Sequence, residues 1–140
     1  MKRSATTAGE PADAAAAPGD LAGLLRAHAA GRLADVAAVN LLIAHRHWLT
    51  RPAFTDRFVR PVTTVDGHRD RAWINWAAAV TALDRGQLPS SGSEANLLRI
   101  AASLGTGTPI VLRAVLGGLD RANIAAVTAA ITAANGTHPE

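Results

Sequence analysis

All five aromatic rings of this 140-residue chain, Trp48, Phe54, Phe58, Trp73 and Trp76, fall between positions 48 and 76. A domain of this length hides roughly two-thirds of the surface its unfolded chain exposes. Either that one segment anchors the core or it is where something binds, and Ala, Leu, Ile and Val fill the remaining interior. Burying one tryptophan, about 200 Å² at 25 cal/mol per Å², contributes up to about 5 kcal/mol. That is comparable with the whole net stability of a small domain. Trp73 and Trp76 are accordingly expected in the core, and Trp48 less so.

The same region is rich in cations. Residues 45–71 hold Arg46, Arg51, Arg57, Arg60, Arg69 and Arg71, against Asp56, Asp66 and Asp70, together with His45, His47 and His68. The chain carries a formal net charge of +3. Ten basic and seven acidic residues lie in 1–71, and four of each in 72–140, so the whole excess is N-terminal. Arginine is also favoured by a GC-rich genome, as are the abundant Ala and Gly, which discounts the arginine count as a sign of anion recognition. What remains is a weak pointer to nucleic acid.

The first twenty residues, MKRSATTAGEPADAAAAPGD, contain no Leu, Ile, Val or aromatic side chain. Such a segment cannot offset its ordering entropy by burial, and 1–19 is read as a disordered tail ahead of a helical domain over 20–136. Glu10, Pro11 and Asp13 interrupt any secretion signal, and no apolar run approaches the roughly eighteen residues of a membrane span. There are no cysteines, which removes disulfides, thiolate metal sites and cysteine nucleophiles. A cytoplasmic location is the expectation.

Caps and breakers divide the domain. Asp20 suits the N-cap of a helix with Leu21, Leu24, Leu25 and His28 on one face, ended by Gly31. A second helix is expected from Arg32 to Leu49, apolar around much of its circumference and so central. Pro52 starts a short helix through Phe58. Val62–Val65, then Asp66-Gly67, then Ala72–Ile74 read as a small hairpin near residues 59–74 with a two-residue turn, favoured over a helix starting near Arg69 with Trp73, Trp76, Ala77, Val80 and Leu83 on one stripe. Asn75 caps a helix from Trp76 to about Arg85. Ser91 and Glu94 form a capping box for a helix over roughly 93–104. Thr108-Pro109 is expected to open a helix through Leu116, and Asp120 a last one with Ile124, Val127 and Ile131 as its buried stripe. The fold class is mainly α, a multi-helix single domain with one hairpin.

From Trp73-Ile-Asn-Trp76 through LPSSGSEANLLRIAASL to GLDRANI, about the last seventy residues, the sequence resembles small uncharacterised proteins of high-GC Gram-positive bacteria. The resemblance implies a self-contained helical fold and brings no activity with it.

No residue set rises to a catalytic or metal-binding signature. His45 and His47, two apart on one helix, would point about 160° away from each other and share no ion. His47 instead shares a helical face with Val36, Asn40 and Ile43, where a core His–Asn pair is expected. Gly105–Pro109 before a helix could hold an anion, yet no Lys-Ser/Thr follows as in a P-loop. Ser90, Ser91 and Ser93 near Glu94 lack the G-x-S-x-G elbow of a hydrolase. Arg121, Asn123 and Thr128 could line the reading helix of a helix-turn-helix. No catalytic residue, cofactor or metal ligand is assigned. The candidate partner-binding residues are Arg46, Arg51, Arg57, Arg60, His68, Arg69 and Arg71. The expected function is a non-enzymatic interaction or regulatory protein that binds another protein or itself. The alternative is a nucleic-acid-binding accessory protein using 45–71.

Overall fold

Helix caps and breakers set most of the element boundaries in the computed structural model, which describes residues 18–137 and side chains from Leu21 onward. The helices are α1 (Pro18–Ala29), α2 (Leu33–His45), α3 (Pro52–Phe58), α4 (Trp76–Asp84), α5 (Gly92–Thr106), α6 (Leu112–Leu116) and α7 (Arg121–Asn135). Between α3 and α4 lie β1 (Val59–Thr63) and β2 (Arg69–Ile74), an antiparallel pair. The fold is mainly α with one small hairpin. The tail expected over 1–19 lies almost wholly outside the described residues. α1 begins at Pro18, two residues ahead of the expected Asp20 cap. Among the described residues no helix is long and apolar enough to cross a membrane.

α2 runs through the middle, as its apolar circumference requires. Ala37, Ala38, Val39, Leu41 and Leu42 are buried, and the helix packs against α1, α5 and α7. Where it meets α7, a groove is lined mainly by alanines, among them Ala37 and Ala44 of α2 and Ala126, Ala130 and Ala133 of α7. Small side chains let the two backbones approach closely.

The helix stops four residues before the expected Leu49. Arg46 adopts φ 64°, ψ 10°, the only non-glycine residue at positive φ among those described. Thr50 Oγ1 donates to the carbonyls of Arg46 (2.9 Å) and His47 (3.0 Å), closing a 3-10 turn over Trp48–Thr50. This break swings Trp48 inward. Trp48 is fully buried, against expectation, and its Nε1 donates to the Glu94 carbonyl at 3.1 Å. Phe54 and Phe58 continue the aromatic row, with ring centroids 5.5 and 5.4 Å apart in succession.

In the hairpin Val59 pairs with Ile74, Arg60 with Trp73, Pro61 with Ala72 and Val62 with Arg71. The register slips between Val62 and Thr63, and Thr63 pairs with Arg69, leaving Asp70 as a bulge. The turn corrects the two-residue expectation. Thr64 N–H donates to the His68 carbonyl and Gly67 N–H to the Thr64 carbonyl, so Val65, Asp66 and Gly67 form a three-residue loop. Gly67, at φ 87°, supplies the left-handed position this loop needs.

The capped C-terminal third follows its sequence signals in part. Asn75 Oδ1 accepts from Ala78 N–H, and Ser91 and Glu94 form the reciprocal capping box. Leu97, Leu98, Ile100, Ala101 and Ala102 are buried on α5. Two expectations are overturned. Thr108-Pro109 opens no helix; Gly107 turns the chain left-handed at φ 74°, residues 108–111 are irregular, and α6 starts only at Leu112 without a side-chain cap. On α7 the buried stripe is Asn123, Val127 and Ala130, whereas Ile124 and Ile131 are exposed. Alanines admit the close α2 contact, and that contact sets the helix's rotation.

Candidate interaction face on the hairpin

Side chains opposite one another in an antiparallel pair project to the same face, and successive residues alternate between faces. Val59, Ile74, Pro61 and Ala72 therefore belong to one side, with Ala72 and Ile74 buried toward α1 and the core. Arg60, Trp73, Val62 and Arg71 belong to the other. Arg60 and Arg71 are exposed, and Trp73 keeps 40% of its surface in solvent. Trp73 is thus not the core residue the composition argument expected, although Trp76, at 8%, is. Trp73 also borders a groove of about 230 Å³ shared with Leu25, His28 and Trp76.

The seven candidate residues differ in their surroundings. Arg51 is spent internally: Nη1 donates to the Pro89 carbonyl at 2.9 Å, and its guanidinium lies 5.3 Å from the Trp48 ring. Arg57 donates to the Gln87 carbonyl (3.5 Å) and Oε1 (3.3 Å) and covers Phe58 at 4.7 Å. Both fasten α3 to the loop after α4. Arg46 stands at the end of α2, where its backbone, rather than its charge, forms the break. Arg60, Arg69, Arg71 and His68 remain on the hairpin and its tip, all exposed. Among the described residues Arg60 and Arg69 make no ion pair, and Arg71 has only its neighbour Asp70 at 3.6 Å.

Sequence reasoning missed a second cluster. Because Arg46 reverses the chain, His45 and His47 do not diverge; their ring centroids lie 5.7 Å apart. His47 does not pair with Asn40, whose Oδ1 accepts from Arg26 Nε at 2.9 Å. His47 Nδ1 lies 3.2 Å from Glu94 Oε2, and Arg51 Nη1 lies 3.1 Å from His47 Nε2. An uncharged imidazole with its proton on Nδ1 satisfies both contacts, since a guanidinium can only donate. Burial lowers the pKa of His47, aided by Arg51 and opposed by Glu94. Burial likewise lowers His45, with His47 adding to it and Glu94 and Asp120 opposing. The Ser91 backbone N–H holds the Glu94 carboxyl below the usual carboxylate range, with His47 helping and desolvation opposing. Glu94 was legible as a cap, but its second oxygen reaches across the chain to His47, a contact that local spacing cannot announce.

The cluster is a joint between α2, the 3-10 turn and α5. Both nitrogens of His47 are engaged, so it presents no free base. Among the described residues no group of three or more His, Cys, Asp or Glu is placed to hold a metal ion. The helix-turn-helix reading fails on Asn123, which is buried and donates to Ser93 Oγ at 2.7 Å. No protein family, curated protein or solved structure matches this chain.

Proposed function

We propose that the chain is a non-enzymatic interaction protein that contacts another protein through the outer face of the β1–β2 hairpin. The observation that carries this reading is Trp73, 40% exposed, with Arg60 directly across from it and Arg71 two residues away on the same face. Trp and Arg are the residues most enriched where protein contacts concentrate their energy.

The face, not the strand edge, is the contact. Asn75 N–H donates to the Phe58 carbonyl at 2.7 Å, which makes Phe58–Asn75 a hydrogen-bonded pair. Alternation then turns the free backbone groups of Val59, Pro61 and Thr63 outward on β1. Pro61 has no N–H to offer a further strand, which blunts that edge against strand addition.

The test is a photo-crosslinking amino acid placed at Val62, on the face, or at the exposed Ala125 of α7. In host extract a discrete adduct should form from position 62, and Arg60→Glu with Arg71→Glu should abolish it. Equal adducts from both positions, or none from 62, would refute the reading.

A second reading, nucleic-acid binding, is favoured by Arg60 and Arg69, which lack carboxylate partners among the described residues. Its signature is a salt slope: changing Arg60, Arg69 and Arg71 to Gln should reduce it by roughly 2 to 3, at about 0.9 per phosphate contact.

A further inference from the structure

We infer that the partner of the hairpin face is an acidic polypeptide segment carrying one bulky apolar side chain. The apolar group lodges in the groove beside Trp73, and carboxylates meet Arg60 and Arg71. This identification of the partner rests on the interaction reading above.

Three observations choose among occupants. Arg60 and Arg71 are diagonal neighbours on the face, about 7–8 Å apart at the backbone. Two carboxylates two residues apart on an extended chain are separated by about 7 Å, so one segment can meet both. The groove that Trp73 shares with Leu25, His28 and Trp76, and with the paired Arg32 and Asp35, holds about 230 Å³. Small-molecule sites span roughly 300–1,000 Å³, so this space suits a single large side chain. Finally, residues 59–74 carry Arg60, Arg69 and Arg71 against Asp66 and Asp70, three minus two, or +1. That is too little for a track along a polyanion with a charge about every 1.7 Å, but it suits two carboxylates. A second copy of this chain would bring the same arginines face to face. A contact confined to one hairpin is also small, and such interfaces are weak and transient.

The probe is a twelve-residue peptide with Glu-Ser-Glu-Ser-Leu at its centre and neutral flanks, added to the full chain. Binding is read from the Trp73 indole N–H in nitrogen-15 spectra, assigned with Trp73→Phe. The peptide should shift this signal saturably, with affinity weakening about three- to ten-fold from roughly 50 to 300 mM salt. Arg60→Gln with Arg71→Gln, which touches no buried residue, should remove the shift. Replacing both Glu by Gln, or Leu by Ser, should each weaken binding. If a twelve-residue thymidine strand shifts Trp73 at lower concentration than the peptide, or the Gln peptide binds equally well, the acidic segment is the wrong partner and the face stands. If the peptide leaves Trp73 unmoved while position 62 still crosslinks, the partner assignment alone is refuted. If both fail, the interaction reading falls with it.

Discussion

Trp48→Phe and Trp73→Phe make the same chemical change at two sites with opposite surroundings. Trp48 is fully buried, donates to the Glu94 carbonyl at 3.1 Å and lies under Arg51 at 5.3 Å. Replacing it by Phe removes about 50 Å² of buried area, worth roughly 1.3 kcal/mol at 25 cal/mol per Å². The lost hydrogen bond adds about 1 kcal/mol, for a total of roughly 2–3 kcal/mol. Trp73, 40% exposed, donates no hydrogen bond to a described residue. The same change there should cost under about 1 kcal/mol. Urea denaturation followed by far-ultraviolet circular dichroism measures both, with unchanged slope as the check that only stability moved. Equal losses at the two sites, or a larger loss at Trp73, would refute the division of the tryptophans into anchor and contact.

Other expectations follow from the joints and glycines. Gly105→Ala should destabilise despite the better helix propensity of Ala, because the new Cβ would stand 2.5 Å from Trp76 Nε1 and 2.8 Å from Cε2. Overpacking of about 1–3 kcal/mol outweighs a gain of at most about 1, and thermal melting reads the sign. Arg46→Gly should raise stability by roughly 0.5–1 kcal/mol by relieving the left-handed backbone, and a loss in urea titration would mean that the arginine side chain holds something. Ser91→Ala should cost roughly 1 kcal/mol through the broken capping box, again by urea titration. His45 and His47 bind protons less readily when folded than when unfolded. Their contribution is therefore complete above about pH 6.5 and is lost as pH falls below it. The melting temperature should drop between roughly pH 7 and 5, and His45→Gln should flatten that drop. A rise on acidification would mean that His47–Glu94 pairing outweighs burial.

Local signals explain which parts of this fold were legible. Pro52, Asn75, Ser91 with Glu94, and Asp120 each specify a cap within three or four residues, and each lies where its sequence put it. The fold class and the hairpin followed from such signals. Misread positions depended on distant partners. α2 stops at His45 although no glycine or proline marks the place, because ending there delivers Trp48 to the α5 backbone. The rotation of α7 is set by alanines meeting α2, and apolar periodicity alone favoured the larger Ile124 and Ile131. At the candidate face the arginines were visible as a group. Their division into fasteners, Arg51 and Arg57, and exposed cations on the hairpin, Arg60, Arg69 and Arg71, required the loop carrying Gln87 and Pro89.

A two-stranded hairpin is at best marginally stable by itself in water. Here β2 rests on α1, and Ala72 and Ile74, at 1% and 5% exposure, tie the inner side to the core. Stability thus comes from one side of the pair and from the aromatic row of Trp48, Phe54 and Phe58 beneath it. Arg60 and Arg71, exposed on the opposite side, should be changeable without unfolding the chain. Residues kept on a surface that the fold does not need call for another explanation, and contact with a partner supplies one. The same separation means that binding variants at Arg60 and Arg71 should report on recognition alone, whereas variants at Trp48 or Glu94 would mix recognition with stability.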